Sequence, residues 1–199
     1  MHIKAINRLK NILLEDYKLR GELTPLEGEI DNNYKVNTIN GNTFILKVFA
    51  KERKQKFLDF QEKILLYLMA KDKNLLAPKV IKTKCGYSST FFTDAKGYKR
   101  SVMLLSWIPG RIWNQVNPHT ENLRYELGFS CGTISKFLND FDHDFAHRTF
   151  EWDIAKGLWT KEYLNLFESK DQKLILNMIN LFEKIHPEYH SLQKSIVHN

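Results

Sequence analysis

The dipeptide Asn40-Gly41 lies between two runs of strand-forming residues, Tyr34–Thr38 and Thr43–Phe49, and it constrains this chain more than any other feature. Asn-Gly is the preferred centre of a two-residue type I′ turn, because both central positions of that turn need φ > 0. The turn predicts an antiparallel hairpin and fixes its register: Ile39 faces Asn42, Val36 faces Ile45 and Tyr34 faces Lys47. Alternation then places Lys47 on one face with Ile45 and Phe49, and Phe44, Leu46 and Val48 on the other. A lysine inside a strand that is apolar on both faces needs a reason. Either its ammonium snorkels to water or it meets an anion in a cleft.

A helix over about residues 54–71 follows. Phe57, Phe60, Ile64 and Leu68 recur in it at helical spacing, and Gln61 falls within that apolar stripe. A polar group there wants a partner, and Lys47 on the preceding strand is a plausible one. A strand pair is expected around residues 77–82 and 101–107, with a polar segment between. Pro109-Gly110 then ends the run Ser101–Trp107 as a turn. The N-terminal segment reads as an amphipathic helix.

The pattern changes character near residues 107–110. The expected organisation is an α+β lobe over 1–107, a connector over 108–117, and a helical region over 118–199. In the last part Thr120 is a good N-cap for a helix carrying Leu123, Leu127, Cys131, Ile134 and Leu138 on one face. Ser169 and Gln172 have the spacing of a capping box, ahead of a Leu174, Met178, Leu181, Ile185 stripe. The final residues, 194–199, read as a short strand entering a polar loop.

Composition removes several function classes. The 199 residues are 43% hydrophobic and 27% charged, which suits one core or two small lobes sharing a cleft. No apolar run is long enough to span a membrane, and the N-terminus lacks the apolar core and cleavage site of a secretory signal. The two cysteines, Cys85 and Cys131, are far apart and have no metal spacing, so a reduced, cytoplasmic protein is expected. Net charge is +7, but Lys and Arg are dispersed among acids. The densest cluster, residues 51–56, reads as the solvated face of an opening helix. With no zinc-finger or RNA-recognition signature, nucleic acid is not an expected partner. His143 and His147 beside Asp142 and Asp144 fit a polar loop better than a metal site. No Ser-His-Asp or Cys-His arrangement stands out.

Phosphoryl transfer asks mainly for positioning and charge neutralisation. A kinase-like site needs a loop over the phosphates, a strand lysine on them, a helix residue that orients the lysine, and a hinge for the adenine. This chain offers all four in that order. The loop candidate is Glu27–Asn33, with the single glycine Gly28, then Asp31, Asn32 and Asn33. Its backbone N–H groups would cradle the phosphates, and its acids would have to turn outward.

Leu26–Tyr34, followed by Phe44–Val48, resembles the N-lobe of the aminoglycoside phosphotransferase / hydroxylysine kinase family. Met103–Arg111 is similar to that family's strand, linker and Pro-Gly turn. Phe141–Arg148 with Trp152-Asp153 resembles the stretch after the first C-lobe helix, and Ile196–Asn199 the start of the catalytic loop, which reads His-Asn-Asp or His-Gly-Asp. The resemblance covers the chain from about Tyr17. It implies a protein-kinase-like α+β fold, with an antiparallel-sheet N-lobe, one main helix and the first part of a helical C-lobe. It implies ATP and Mg²⁺ as cofactors and a small molecule bearing a hydroxyl as substrate. Lys47 would bind the α/β-phosphates. Gln61 would stand where relatives carry the glutamate that pairs with this lysine, with Glu62 as the alternative. Leu105 and Trp107 would offer hinge backbone groups to adenine, with Met103 lining the pocket. Arg148, Trp152 and Asp153 would face the substrate. His198 and Asn199 would open the catalytic loop, the catalytic Asp and the Mg²⁺ ligands falling after Asn199.

Overall fold

The computed structural model describes residues 2–148, 153–192 and 194–197. Trp152, His198 and Asn199 lie outside the described residues. The chain divides into two compact units, one holding residues 2–141 with Val197, the other lying within 142–196. The sequence pattern changes near 107–110, whereas compactness divides the chain at 141/142.

The first unit opens with α1, His2–Tyr17. Lys18 takes a left-handed conformation (φ 58°), and the Leu19 N–H returns to the Leu13 carbonyl at 2.9 Å. This turn delivers the chain into β1, Gly21–Leu26. Then come β2, Asn32–Thr38, and β3, Thr43–Val48, followed by α2, Gln55–Lys71. The strands β4, Val80–Ile81, β5, Thr90–Thr93, and β6, Lys99–Ser106, complete one antiparallel sheet. Its order is β1-β2-β3-β6-β4, with β5 also on β6. Pro25 is tolerated in β1 because that strand is an edge and its missing N–H removes no ladder bond. The expected strand pair around 77–82 and 101–107 is β4 with β6, Val80 opposite Leu105 and Ile81 opposite Leu104. The polar segment between them contains a further strand, β5, that the sequence pattern did not announce.

The β2–β3 hairpin has a different register from the one the Asn-Gly pair predicts. Asn37 faces Thr43, Val36 faces Phe44, Tyr34 faces Leu46 and Asn33 faces Lys47. The loop is three residues, Ile39-Asn40-Gly41, with only Gly41 at positive φ (80°). The Gly41 N–H reaches the Thr38 carbonyl at 3.0 Å, so the turn is of type I followed by a left-handed glycine. Thr38 decides the matter. Its hydroxyl donates to the Asn42 carbonyl at 2.9 Å and accepts from the Asn42 N–H at 3.0 Å. A one-residue change of register moves every side chain's cross-strand partner to the opposite face. Tyr34 and Val36 accordingly join Leu46 and Val48, and not Lys47 and Ile45.

That face is the core. Leu9, Ile12, Leu13 and Tyr17 of α1 pack on Leu23, Tyr34, Val36, Leu46, Val48, Val102 and Leu104 of the sheet. Each fully buried Leu or Val contributes about 1.5–3 kcal/mol, so α1 is a structural half of this layer. Asp16 ties it to the sheet's other end by accepting from the Thr90 hydroxyl at 2.7 Å.

On the opposite side of the sheet lies α2, with Phe57, Leu58, Phe60 and Leu68 buried. The cluster 51–56 is solvated as expected at every position but Arg53, although only Gln55 and Lys56 belong to the helix. Residues 51–54 precede the helix, and Arg53 is drawn inward against Phe57, 4.1 Å from guanidinium carbon to ring centre. α3, Glu121–Leu138, begins as expected: the Thr120 hydroxyl accepts from the Leu123 N–H at 3.2 Å. Phe141, beyond α3, lies 4.9 Å from the Tyr67 ring of α2.

In the second unit a 3-10 helix, Ile154–Leu166, precedes α4, Ser169–Ser191. The capping box is not formed. Glu168 occupies the N-cap, Ser169 is already helical, and the Gln172 amide donates to the Phe167 carbonyl at 2.7 Å. The helix starts one residue earlier than the box requires, which takes Gln172 past the position from which it could reach back to the cap. The expected α4 stripe is largely exposed: Leu174 60%, Met178 62%, Leu181 56% and Ile185 45%.

Candidate functional site

The sheet face away from α1 is built from two cross-strand rows. Asn33, Lys47 and Met103 form one; Lys35, Ile45 and Leu105 form the other, extended by Val80. β3 is central, so Lys47 cannot lean off an edge to reach solvent sideways. Its side chain is 20% exposed, and its ammonium sits 3.3 Å from the Asp31 carboxylate. Met103 and Leu105 are buried on the neighbouring strand. The last ladder pair there is Phe44 with Ser106, so Trp107 is the first residue past the sheet. Its ring lies under the Lys35 ammonium at 4.7 Å.

Asp31 stands at the start of β2 and is buried. Its Oδ1 accepts from the Ala50 N–H at 3.0 Å and from the Arg53 Nε–H at 3.2 Å, while its Oδ2 faces Lys47. The loop's acids were expected to turn outward, and this one turns inward. The physical reason is the number of donors: a buried carboxylate is tolerable only when charge and hydrogen bonds compensate its lost hydration. Burial pushes the Asp31 carboxyl upward. The Ala50 N–H, the Lys47 charge and the Arg53 guanidinium outweigh that and hold it below the usual carboxylate range.

Gly28 has a steric duty in the same loop. A Cβ on it would lie 2.7 Å from the Asp31 carbonyl oxygen and 2.9 Å from the Asn33 amide nitrogen. The loop therefore folds down on the Asp31–Asn33 backbone as only glycine allows. Asn33 stands opposite Lys47, and its amide reaches toward the Asp31 carbonyl at 3.5 Å. Asn32 points its exposed side chain to the other face. There it lines a cavity of about 420 Å³ with Ile30, Tyr34, Val48, Arg8 and Lys96.

The two α2 residues considered as partners of Lys47 are placed differently. Glu62 engages Lys82 at 3.3 Å and the buried Ser88 hydroxyl. Gln61 is partly buried, and among the described residues no hydrogen bond joins it to Lys47. Sequence reasoning missed Arg53, whose signal was hidden in a run of surface-like charges. The ion pair of Lys47 with Asp31, just ahead of β2, was missed because the predicted register set Tyr34 opposite that lysine, where the ladder places Asn33.

In the second unit, Asp153 caps the 3-10 helix by accepting from the Ala155 N–H at 3.0 Å. The Arg148 guanidinium donates to the Phe145 carbonyl at 3.2 Å and covers the Phe145 ring. His147 pairs with Asp142 at 2.8 Å, and His143 accepts from the Phe145 N–H. Among the described residues no group of three or more His, Cys, Asp or Glu side chains could hold a metal ion.

An antiparallel sheet with a mid-strand lysine, one helix behind it and a linker leading to further helices defines the protein-kinase-like α+β class. Residues 22–199 match the model of the APH phosphotransferase enzyme family, and the chain belongs to that family. Solved structures that share the fold include two kinases. One is an amicoumacin kinase in complex with AMP-PNP, Ca²⁺ and Ami, 19% identical, with a TM-score of 0.63 over 98% of this chain. The other is a microcompartment-associated aminopropanol kinase, 15% identical, with a TM-score of 0.69 over 92% of this chain. The chain spans 57% and 58% of their respective lengths. No curated protein matches it in sequence.

Proposed function

We propose that this chain is the nucleotide-binding portion of an ATP-dependent phosphotransferase acting on a hydroxyl of a small metabolite, such as an amino alcohol or hydroxylated amino acid. One observation carries the reading: a lysine ammonium on a central strand, held beside a fixed carboxylate on the sheet face that Met103 and Leu105 continue. A nucleotide fits these residues. Lys47 and Asn33 meet the phosphates, and the Gly28 loop covers them. Ile45, Met103 and Leu105 give the base an apolar ceiling; the Leu105 backbone, expected to serve the hinge, is engaged in the ladder between Ile45 and Val80, which leaves the backbone of Trp107, just past the sheet, to supply the hinge bond. Gln61 adds an uncharged contact near the lysine. ATP supplies the phosphoryl group; the residues described here bind and orient it. Arg148, Trp152 and Asp153 are proposed for the substrate side. The resemblance assigns the first unit to nucleotide binding and His198-Asn199 to the opening of the catalytic loop.

The substrate class is drawn from the two solved relatives, one named for amicoumacin and one for aminopropanol. The test is thermal. Mg-ATP should raise the melting temperature of the chain, by a margin equivalent to about 2.7 kcal/mol at a hundredfold excess over Kd. Lys47→Ala should abolish most of the rise. Equal shifts in both proteins would remove Lys47 from the site and with it this reading.

A further inference from the structure

We infer that Asp31, and not a carboxylate of α2, is the counter-ion that positions Lys47 for phosphate, and that Arg53 anchors this carboxylate to the start of α2. The inference rests on the proposed role of Lys47 and deepens it.

Three observations carry it. First, Asp31 is fixed independently of Lys47. Its Oδ1 is taken by the Ala50 N–H at 3.0 Å and Arg53 Nε at 3.2 Å, leaving Oδ2 for the ammonium at 3.3 Å. A carboxylate that merely filled the phosphate position would depend on the lysine for its place. This one is bound to the backbone just past β3 and to the residue just ahead of α2, so it stays when a ligand arrives. Second, both carboxylates of α2 are engaged elsewhere. Asp59 pairs with Lys63 on the same helix at 2.9 Å, Glu62 is engaged by Lys82 and Ser88, and Gln61 is neutral. Third, the charge balance suits an anion. Lys47, Arg53 and Asp31 sum to +1, and an ammonium has three donors, of which Asp31 takes one. Arg53 is held in turn by the Phe57 ring at 4.1 Å, so the chain of contacts runs from lysine to helix.

The test is calorimetric titration of the 199-residue chain with Mg-ATP and, separately, with adenosine. Asp31→Asn should weaken Mg-ATP by about tenfold, the equivalent of one impaired charge-assisted contact, and leave adenosine unchanged. In a Lys47→Ala background the same change should have no further effect on Mg-ATP. Asp31→Glu keeps the charge but displaces it by one methylene. It is expected to fall between, and it carries the test if Asp31→Asn does not fold. Tighter Mg-ATP binding in Asp31→Asn would make the carboxylate a competitor of phosphate and overturn the inference. So would an equal loss for adenosine, or a loss that persists without Lys47. A Glu62→Gln variant that weakens Mg-ATP while Asp31→Asn does not would return the role to α2. If Lys47→Ala alone binds Mg-ATP as the parent does, the proposed function fails first, which separates the two failures.

Discussion

Asp31 shows how one side chain can answer to structure and to ligand at once. Its carboxyl is pushed up by burial and pulled below the ordinary range by the Ala50 N–H, Lys47 and Arg53. The sign of the pH effect follows. A folded-state pKa below the unfolded value means the stabilisation is fully present above the unfolded value, about 3.9, and is lost as pH falls through the folded one. The melting temperature of the parent should therefore exceed that of Asp31→Asn at pH 6–7, and the gap should close progressively below about pH 4. A gap that is constant down to pH 2.5 would show that the charge of the carboxylate is not its source. Gly28 is the second residue with a sharp expectation. Its missing Cβ would meet a backbone oxygen at 2.7 Å, so Gly28→Ala must move the loop. It should cost about 1–3 kcal/mol of stability in denaturant unfolding and lower Mg-ATP affinity with it. Lys47 itself was legible from the sequence as an anomaly, a charge on an apolar strand. Its partner was not, because which acid reaches a lysine is set by where a loop folds, and no spacing encodes that.

The β2–β3 hairpin is the element where sequence and structure part by one residue. Asn40-Gly41 marked the turn correctly, and both strands form about where the β-branched and aromatic runs placed them. The register moved because Thr38 offered a hydroxyl to both backbone groups of Asn42, and a three-residue loop with left-handed Gly41 satisfied the same twist. Thr38→Val keeps the shape and removes both bonds. It should cost about 1–2 kcal/mol in urea unfolding, and a loss below a few tenths would show that the hydroxyl does not hold the register. Helices were more legible than strands. The bounds of α1, α2 and α3 follow from apolar periodicity and the Thr120 cap, since a helix writes its pattern over ten or more residues. β5, at four residues, carries too little pattern to read alone, and β1 is interrupted by Pro25, whereas the two-residue β4 fell within the strand expected around 77–82.

Across the whole molecule, burial is unevenly shared. The first unit, with the core of α1 and the sheet and the α2 side opposite, contains nearly all of the buried apolar side chains, whereas among the described residues of 142–196 Ile179 is the buried hydrophobic one. Trp159, Tyr163, Leu166, Phe167 and four residues of the α4 stripe are exposed in this chain. Backbone hydrogen bonds without buried apolar cover open more readily. Amides of α4 should thus exchange hydrogen faster than those of β2, β3 and β6, by about two orders of magnitude or more. Equal protection in α4 and the sheet would show that the second unit opens only with the first.

The sequence by itself determined where helices run, where the principal hairpin turns and which lysine is out of place, because these are written in local periodicity and in the φ demands of glycine. The tertiary structure alone decided the hairpin register, the inward turn of Asp31 and the capture of Arg53. Those depend on which polar groups meet when separate segments fold onto one another, and a buried charge takes whichever donors the packing brings within about 3 Å.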